Sequence, residues 1–179
     1  MGTGEMSTVG MPAWNREELE SYLKTHFRSE PVGELRPVST SNARSEYYKK
    51  ADLSSKQAAD LSELLGELGP SFHERLFALI DESGMTDVEI YRKAGIDRKL
   101  FSKIRSNPAY HPRKSTVMAI CIALKLDIAA AKDLLSRAGY AFSPGSRSDL
   151  IVKFFIEHGV YDIDAVNYTL EEYKEAPLS

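Results

Sequence analysis

Apolar residues recur three and four positions apart along most of the chain, the spacing of one face of a helix. Leu19, Tyr22, Leu23 and Phe27 form the first such stripe. Asn15 and Glu18 stand ahead of it at capping-box separation, so the pattern predicts a helix over 15–27. A second helix is predicted over 55–67. Ser54 and Gln57 can cap it, Leu61, Leu64, Leu65 and Leu68 form its stripe, and Gly69-Pro70 closes it. Residues 29–45 between the two hold Pro31, Gly33, Pro37 and many Ser, Thr and Asn, the composition of a linker or long loop.

Beyond residue 70 the start and stop signals tighten. Ser71 with Glu74 and Thr86 with Glu89 make two further capping boxes. Phe72, Leu76, Leu79 and Ile80 share one face of the first of these helices, which ends near Gly84. The next is short and stops before Gly95, with Asp87 in its first turn where the helix dipole favours an acid. Asp97 caps a third, running to about Arg105 and broken by Asn107-Pro108. After a loop containing Pro112, an apolar helix starts at Ser115 or Thr116 and reaches Leu126. Asp127 caps another that ends at Gly139. Two more are predicted: Ser146 to His158, halted by Gly159, and about Asp164 to Tyr173. No Asn-Gly or Asp-Gly hairpin signal and no internal repeat appears, so the expected fold class is all-α.

Composition narrows the function classes. The 179 residues suit one ordinary domain or a small domain with extensions, and 42% apolar content can supply a core. A single cysteine, Cys121, rules out an internal disulfide framework and leaves too few ligands for a thiolate zinc site. It reads as a small buried apolar residue, and His26, His73, His111 and His158 lack ligand spacing. No apolar run approaches a membrane span, and no secretory signal is visible, so a cytoplasmic protein without membrane contact is expected. Trp14 and Phe27 read as packing anchors, and Lys49-Lys50 as an exposed turn. Ser102 has no base and orienting group beside it, so neither enzyme activity nor a cofactor is expected.

Residues 85–105 carry the most specific pattern: a short helix, a tight turn at Gly95 and a second short helix, the helix-turn-helix plan. Gly95 can take a left-handed conformation cheaply, and Ile96 is the apolar residue that must plug the turn. Phe101 and Ile104 share the buried face of the second helix, which leaves Arg98, Lys99, Ser102 and Lys103 on the other. Such a face can lie in a major groove.

Residues 76–126 resemble the lambda-repressor-like family (Cro/C1, xenobiotic-response-element type). The matching run is Met85-Thr86, Gly95-Ile96-Asp97 and Phe101-Ser102-Lys103-Ile104, then Asn107, Pro112, Ala119, Ile120, Ala123 and Leu124. The resemblance implies an all-α, five-helix helix-turn-helix domain over 70–141. An N-terminal extension, 1–69, and a C-terminal helical extension, 142–179, would flank it. Three departures stand out. Asp87 occupies a position where the family often has Gln and would repel phosphate. Tyr91 and Ala94 exchange a large and a small side chain relative to the usual Ala and Leu, which keeps core volume. Arg105 replaces a frequent Glu and adds attraction to DNA. The stretch from Phe72 through Tyr140, with Asp149-Leu150-Ile151 and Tyr161-Asp162-Ile163, is also similar to a helical accessory domain that follows macro domains in some bacterial proteins. No macro domain fits in the N-terminal residues, so that likeness implies an appended module and leaves its ligand open.

Charge agrees with the helix-turn-helix reading. Residues 92–114 hold eight Lys and Arg against Asp97 alone, within a chain of net charge −3. A basic patch on an otherwise acidic protein is a directional electrostatic footprint, and Tyr110 and His111 interleave with it. The first expectation is therefore a sequence-specific regulator of transcription bound to double-stranded DNA through recognition helix 97–105. Arg98, Lys99, Ser102 and Lys103 would reach base edges. Arg92, Lys93, Arg105, Arg113 and Lys114 would meet phosphates, with Thr86 at the start of the first motif helix. Such domains commonly pair as homodimers with recognition helices about 34 Å apart. The stripes Leu150, Phe154, Phe155 and Val166, Leu170, Tyr173 would supply the dimer contact or complete the core. The alternative is an adaptor module of a bacterial stress or defence system that keeps the repressor fold and binds a protein partner through its N-terminal extension.

Overall fold

The computed structural model describes residues 16–28, 55–66 and 69–179, and every regular element among them is a helix. In chain order they are α1 (Arg16–His26), α2 (Ser55–Gly66), α3 (Phe72–Ser83), α4 (Asp87–Lys93), α5 (Arg98–Ser106), α6 (Lys114–Ala123), α7 (Ile128–Arg137), α8 (Arg147–Glu157) and α9 (Ile163–Glu172). The caps expected at Asn15 and Ser54, the 29–45 linker, Trp14 and Lys49-Lys50 lie outside the described residues. The chain divides into two compact units, one of residues 30–70 that contains α2, and one of residues 1–29 with 71–179. Among the described residues, no helix is long and apolar enough to cross a membrane.

Local chemistry sets the helix starts. Ser71 and Glu74 close a reciprocal capping box on α3, as do Thr86 and Glu89 on α4. Asp97, Asp127 and Ser146 accept first-turn amides of α5, α7 and α8. Two starts differ from the sequence expectation. α9 begins at Ile163, one residue before the expected Asp164, with Asp162 as its cap, because that carboxylate accepts both the Asp164 and Ala165 amides. α6 begins one residue earlier than Ser115, with Arg113 at its N-cap and no side-chain cap.

Five helices share one way of ending. Gly95, Lys125, Gly139, Gly159 and Lys174 all adopt positive φ. At each, the next residue's amide reaches back five positions to a carbonyl: Ile96 to Tyr91, Leu126 to Cys121, Tyr140 to Leu135, Val160 to Phe155 and Glu175 to Leu170. This is the Schellman arrangement, which satisfies otherwise orphaned carbonyls. The glycine stops were legible from sequence. The lysine at 125 was not, so α6 ends at Ala123 where Leu126 had been expected.

One continuous apolar cluster runs from Leu19 in α1 to Leu178. α6 is its pillar: Thr116 through Ala123 are all buried, and the helix packs against α4, α7 and α9. Cys121 lies within it, and burial pushes its thiol up to about 12. α8 contributes Leu150, Ile151, Val152, Phe154, Phe155 and Ile156 and packs against α1, α7 and α9. The stripes Leu150, Phe154, Phe155 and Val166, Leu170 thus complete the core, with Tyr173 half-buried against it.

Polar ties cross the same layers. Arg75 of α3 and Arg137 of α7 converge on Asp133 at 3.0 and 2.9 Å. Tyr22 donates to Glu157 at 2.6 Å, and Tyr161 to the Leu126 carbonyl at 3.1 Å.

Candidate nucleic-acid interface

α4 and α5 pack on each other across the turn 94–97. Gly95 has φ 65, a conformation glycine adopts without penalty. Ile96 is buried behind it, as a turn plug must be. Thr86 sets the start of α4: its amide and hydroxyl both donate to Glu89 Oε2 at 2.8 Å, and the Glu89 amide returns to Thr86 Oγ at 3.3 Å. These bonds, first the one from the Thr86 backbone, hold the Glu89 carboxyl below its ordinary range.

α5 has two opposed faces. Phe101 and Ile104 are buried in the core, and Phe101 lies against the rings of Phe77 and Tyr91. Arg98, Lys99, Ser102, Lys103 and Arg105 are exposed. Arg92 and Lys93 in the last turn of α4, and Arg113 at the start of α6, are exposed as well. Among the described residues, Arg92, Lys93, Arg98, Lys99 and Arg113 make no ion pair. Lys103 Nζ stands 4.3 Å above the centre of the Tyr110 ring, so the aromatic residue of the following loop steers a cation of α5.

Two of the eight cations counted in the sequence are held differently. Arg105 Nε lies 3.0 Å from Asp87, and its guanidinium stacks 4.7 Å from the Phe77 ring. The two departures at 87 and 105, read separately as repelling and attracting DNA, are therefore one ion pair that ties the end of α5 to the start of α4. His73 Nε2 donates to the Arg105 carbonyl at 3.0 Å and adds α3 to the same clasp. Lys114 turns inward: its ammonium pairs with Asp149, and only 27% of its side chain is exposed. Asp149 is almost wholly buried, and its carboxylate also accepts the Ser143 amide at 2.6 Å. The sequence reading missed Asp149, since three residues after Ser146 it looks like an ordinary first-turn acid. Among the described residues, no group of three or more His, Cys, Asp or Glu is placed to hold a metal ion.

Comparison with known proteins agrees with this geometry. Residues 75–136 match the family model of the Cro/C1-type HTH DNA-binding domain. No curated protein and no solved structure matches the chain. The match spans α4, the Gly95 turn, α5, α6 and most of α3 and α7. About a third of the chain is thus similar to the Cro/C1-type helix-turn-helix DNA-binding domain, and that third contains the whole α4–turn–α5 unit.

Proposed function

We propose that the protein is a sequence-specific DNA-binding regulator of transcription that inserts α5 into the major groove. The observation that carries this reading is the two-faced α5, anchored by Phe101 and Ile104 and presenting Arg98, Lys99, Ser102 and Lys103 to solvent. Arginine and lysine there reach guanine edges, and the serine hydroxyl can donate or accept. Arg92, Lys93 and Arg113 take phosphates and fix the register, helped by the unblocked amides at the start of α6. Thr86 contributes by holding the first turn of α4. Arg105 remains half exposed and supplies its outer edge, and Lys114 orients the start of α6 through Asp149. In this reading residues 70–141 form the DNA-binding unit and 1–69 and 142–179 are extensions to it. A homodimer places two recognition helices about one DNA turn apart, roughly 34 Å.

One observation favours the adaptor reading. Asp87 and Asp149 neutralise two of the cations that a DNA-binding surface would use. A domain of this fold appended to bacterial stress or defence proteins would present the same surface to an acidic partner. Selection of duplexes from a random pool separates the two. Enrichment of a shared sequence, lost with Arg98→Ala, supports the regulator, and enrichment of no sequence removes it in favour of the adaptor.

A further inference from the structure

The chain does not leave the molecule at the end of α9. Lys174 turns it back at φ 60, with its amide bonded to the Glu171 carbonyl at 2.9 Å. Four residues later Leu178 is only 5% exposed and belongs to the core cluster. Asn167 of α9 reads this returning segment twice. Its Oδ1 accepts the Leu178 amide at 2.8 Å, and its Nδ2 donates to Ser179 Oγ at 3.3 Å. The segment then meets the helix-turn-helix itself. A Cβ built on Gly95 would lie 2.5 Å from Ser179 Oγ and 3.2 Å from Ser179 Cβ, with Ile163 Cγ1 behind at 4.0 Å. A side chain at Gly95 would strain its left-handed backbone and would also push Ser179 aside.

We infer that residues 174–179 form a strap that positions the α4–α5 turn, with Asn167 and Leu178 as the positioning residues that hold it. For its consequence in DNA binding the inference rests on the regulator reading. The physical logic is short. The angle between α4 and α5 is set at residues 94–97, and α5 must enter a groove in one orientation. Ile96 fastens the turn from the core side, and Ser179 of the strap lies against its outer side at Gly95, which stays exposed. Releasing the strap leaves the turn free to flex without unfolding the helices on either side.

Asn167→Ala tests this gently, because among the described residues the Asn167 side chain bonds to Leu178 and Ser179 of the strap alone, and it is not part of the core. Amide hydrogen exchange is followed in the free protein, and duplex binding across a salt series. The expected result is faster exchange at Leu178, Gly95 and Ile96 by about tenfold, with α3 and α8 unchanged. Duplex affinity falls roughly three- to tenfold while the salt slope stays as in wild type, since no phosphate contact is lost. Gly95→Asn supplies a second arm. Asn tolerates positive φ but carries a Cβ that displaces Ser179. Its effect on turn exchange should largely vanish in the Asn167→Ala background, because the strap is already released. Wild-type exchange at Gly95 and Ile96 in Asn167→Ala overturns the inference, as does unchanged duplex affinity with a loosened turn. Failure of the wild-type protein to bind any duplex overturns the regulator reading instead, and the turn exchange then decides the strap alone.

Discussion

α5 and α6 are neighbours in sequence and nearly equal in length, yet they do opposite work. α6 buries eight successive residues, Thr116 to Ala123, and its only charge, Lys114, is paired with a buried acid. α5 buries two, Phe101 and Ile104, and exposes the rest of its charge. Substitutions in α6 should therefore act on folding, and substitutions on the outer face of α5 on binding. The cations concentrated on that outer face are the part of the fold on which the proposed DNA binding rests.

The strongest way to break that contrast is in the pillar. Ile120→Ala leaves a cavity at a fully buried position and should destabilise the fold by roughly 2–5 kcal/mol, read from denaturant midpoints. Asp149→Ala strands Lys114 and the Ser143 amide in a partly buried site, with an expected loss of about 3 kcal/mol. A smaller effect sits at Asp133, whose carboxyl Arg137 and then Arg75 hold below its ordinary range. A carboxylate of lowered pKa contributes fully above its unfolded value, near 4, and that contribution is lost as pH falls through the folded value. The stability gap between wild type and Asp133→Asn should thus be present at neutral pH and close in acid, as followed by thermal unfolding across pH. Lys125→Gly should raise stability by about 1 kcal/mol, since lysine occupies a left-handed site at a Schellman stop. Smallest of all, Arg98→Ala and Lys99→Ala should leave stability within about 0.5 kcal/mol of wild type.

Much of this was legible in the sequence because the signals are local. Capping boxes at Ser71 and Thr86, the Asp97, Asp127 and Ser146 caps, and glycines 95, 139 and 159 act within one turn of themselves. The division of α5 into Phe101 and Ile104 against Arg98, Lys99, Ser102 and Lys103 follows from helical period alone. The rest depends on partners far along the chain. Arg105 meets Asp87 eighteen residues earlier, Lys114 meets Asp149 thirty-five residues later, and Ser179 returns to Gly95. No spacing rule couples such pairs, so the basic patch was counted correctly in residues but overcounted in free charge. The lysine stop at 125 escaped because lysine does not mark a left-handed position, and the residue that follows it, Leu126, is buried in the core.

The most direct test of the central claim compares Arg98→Ala/Lys103→Ala with wild type for affinity to a selected duplex at fixed salt, with melting temperature taken on the same samples. The account predicts an affinity loss of about thirtyfold or more, from two contacts each worth roughly 1–3 kcal/mol, at an unchanged melting temperature. Equal affinity of the two proteins would contradict it, and α5 would then be a solvated face of a fold that meets its partner elsewhere.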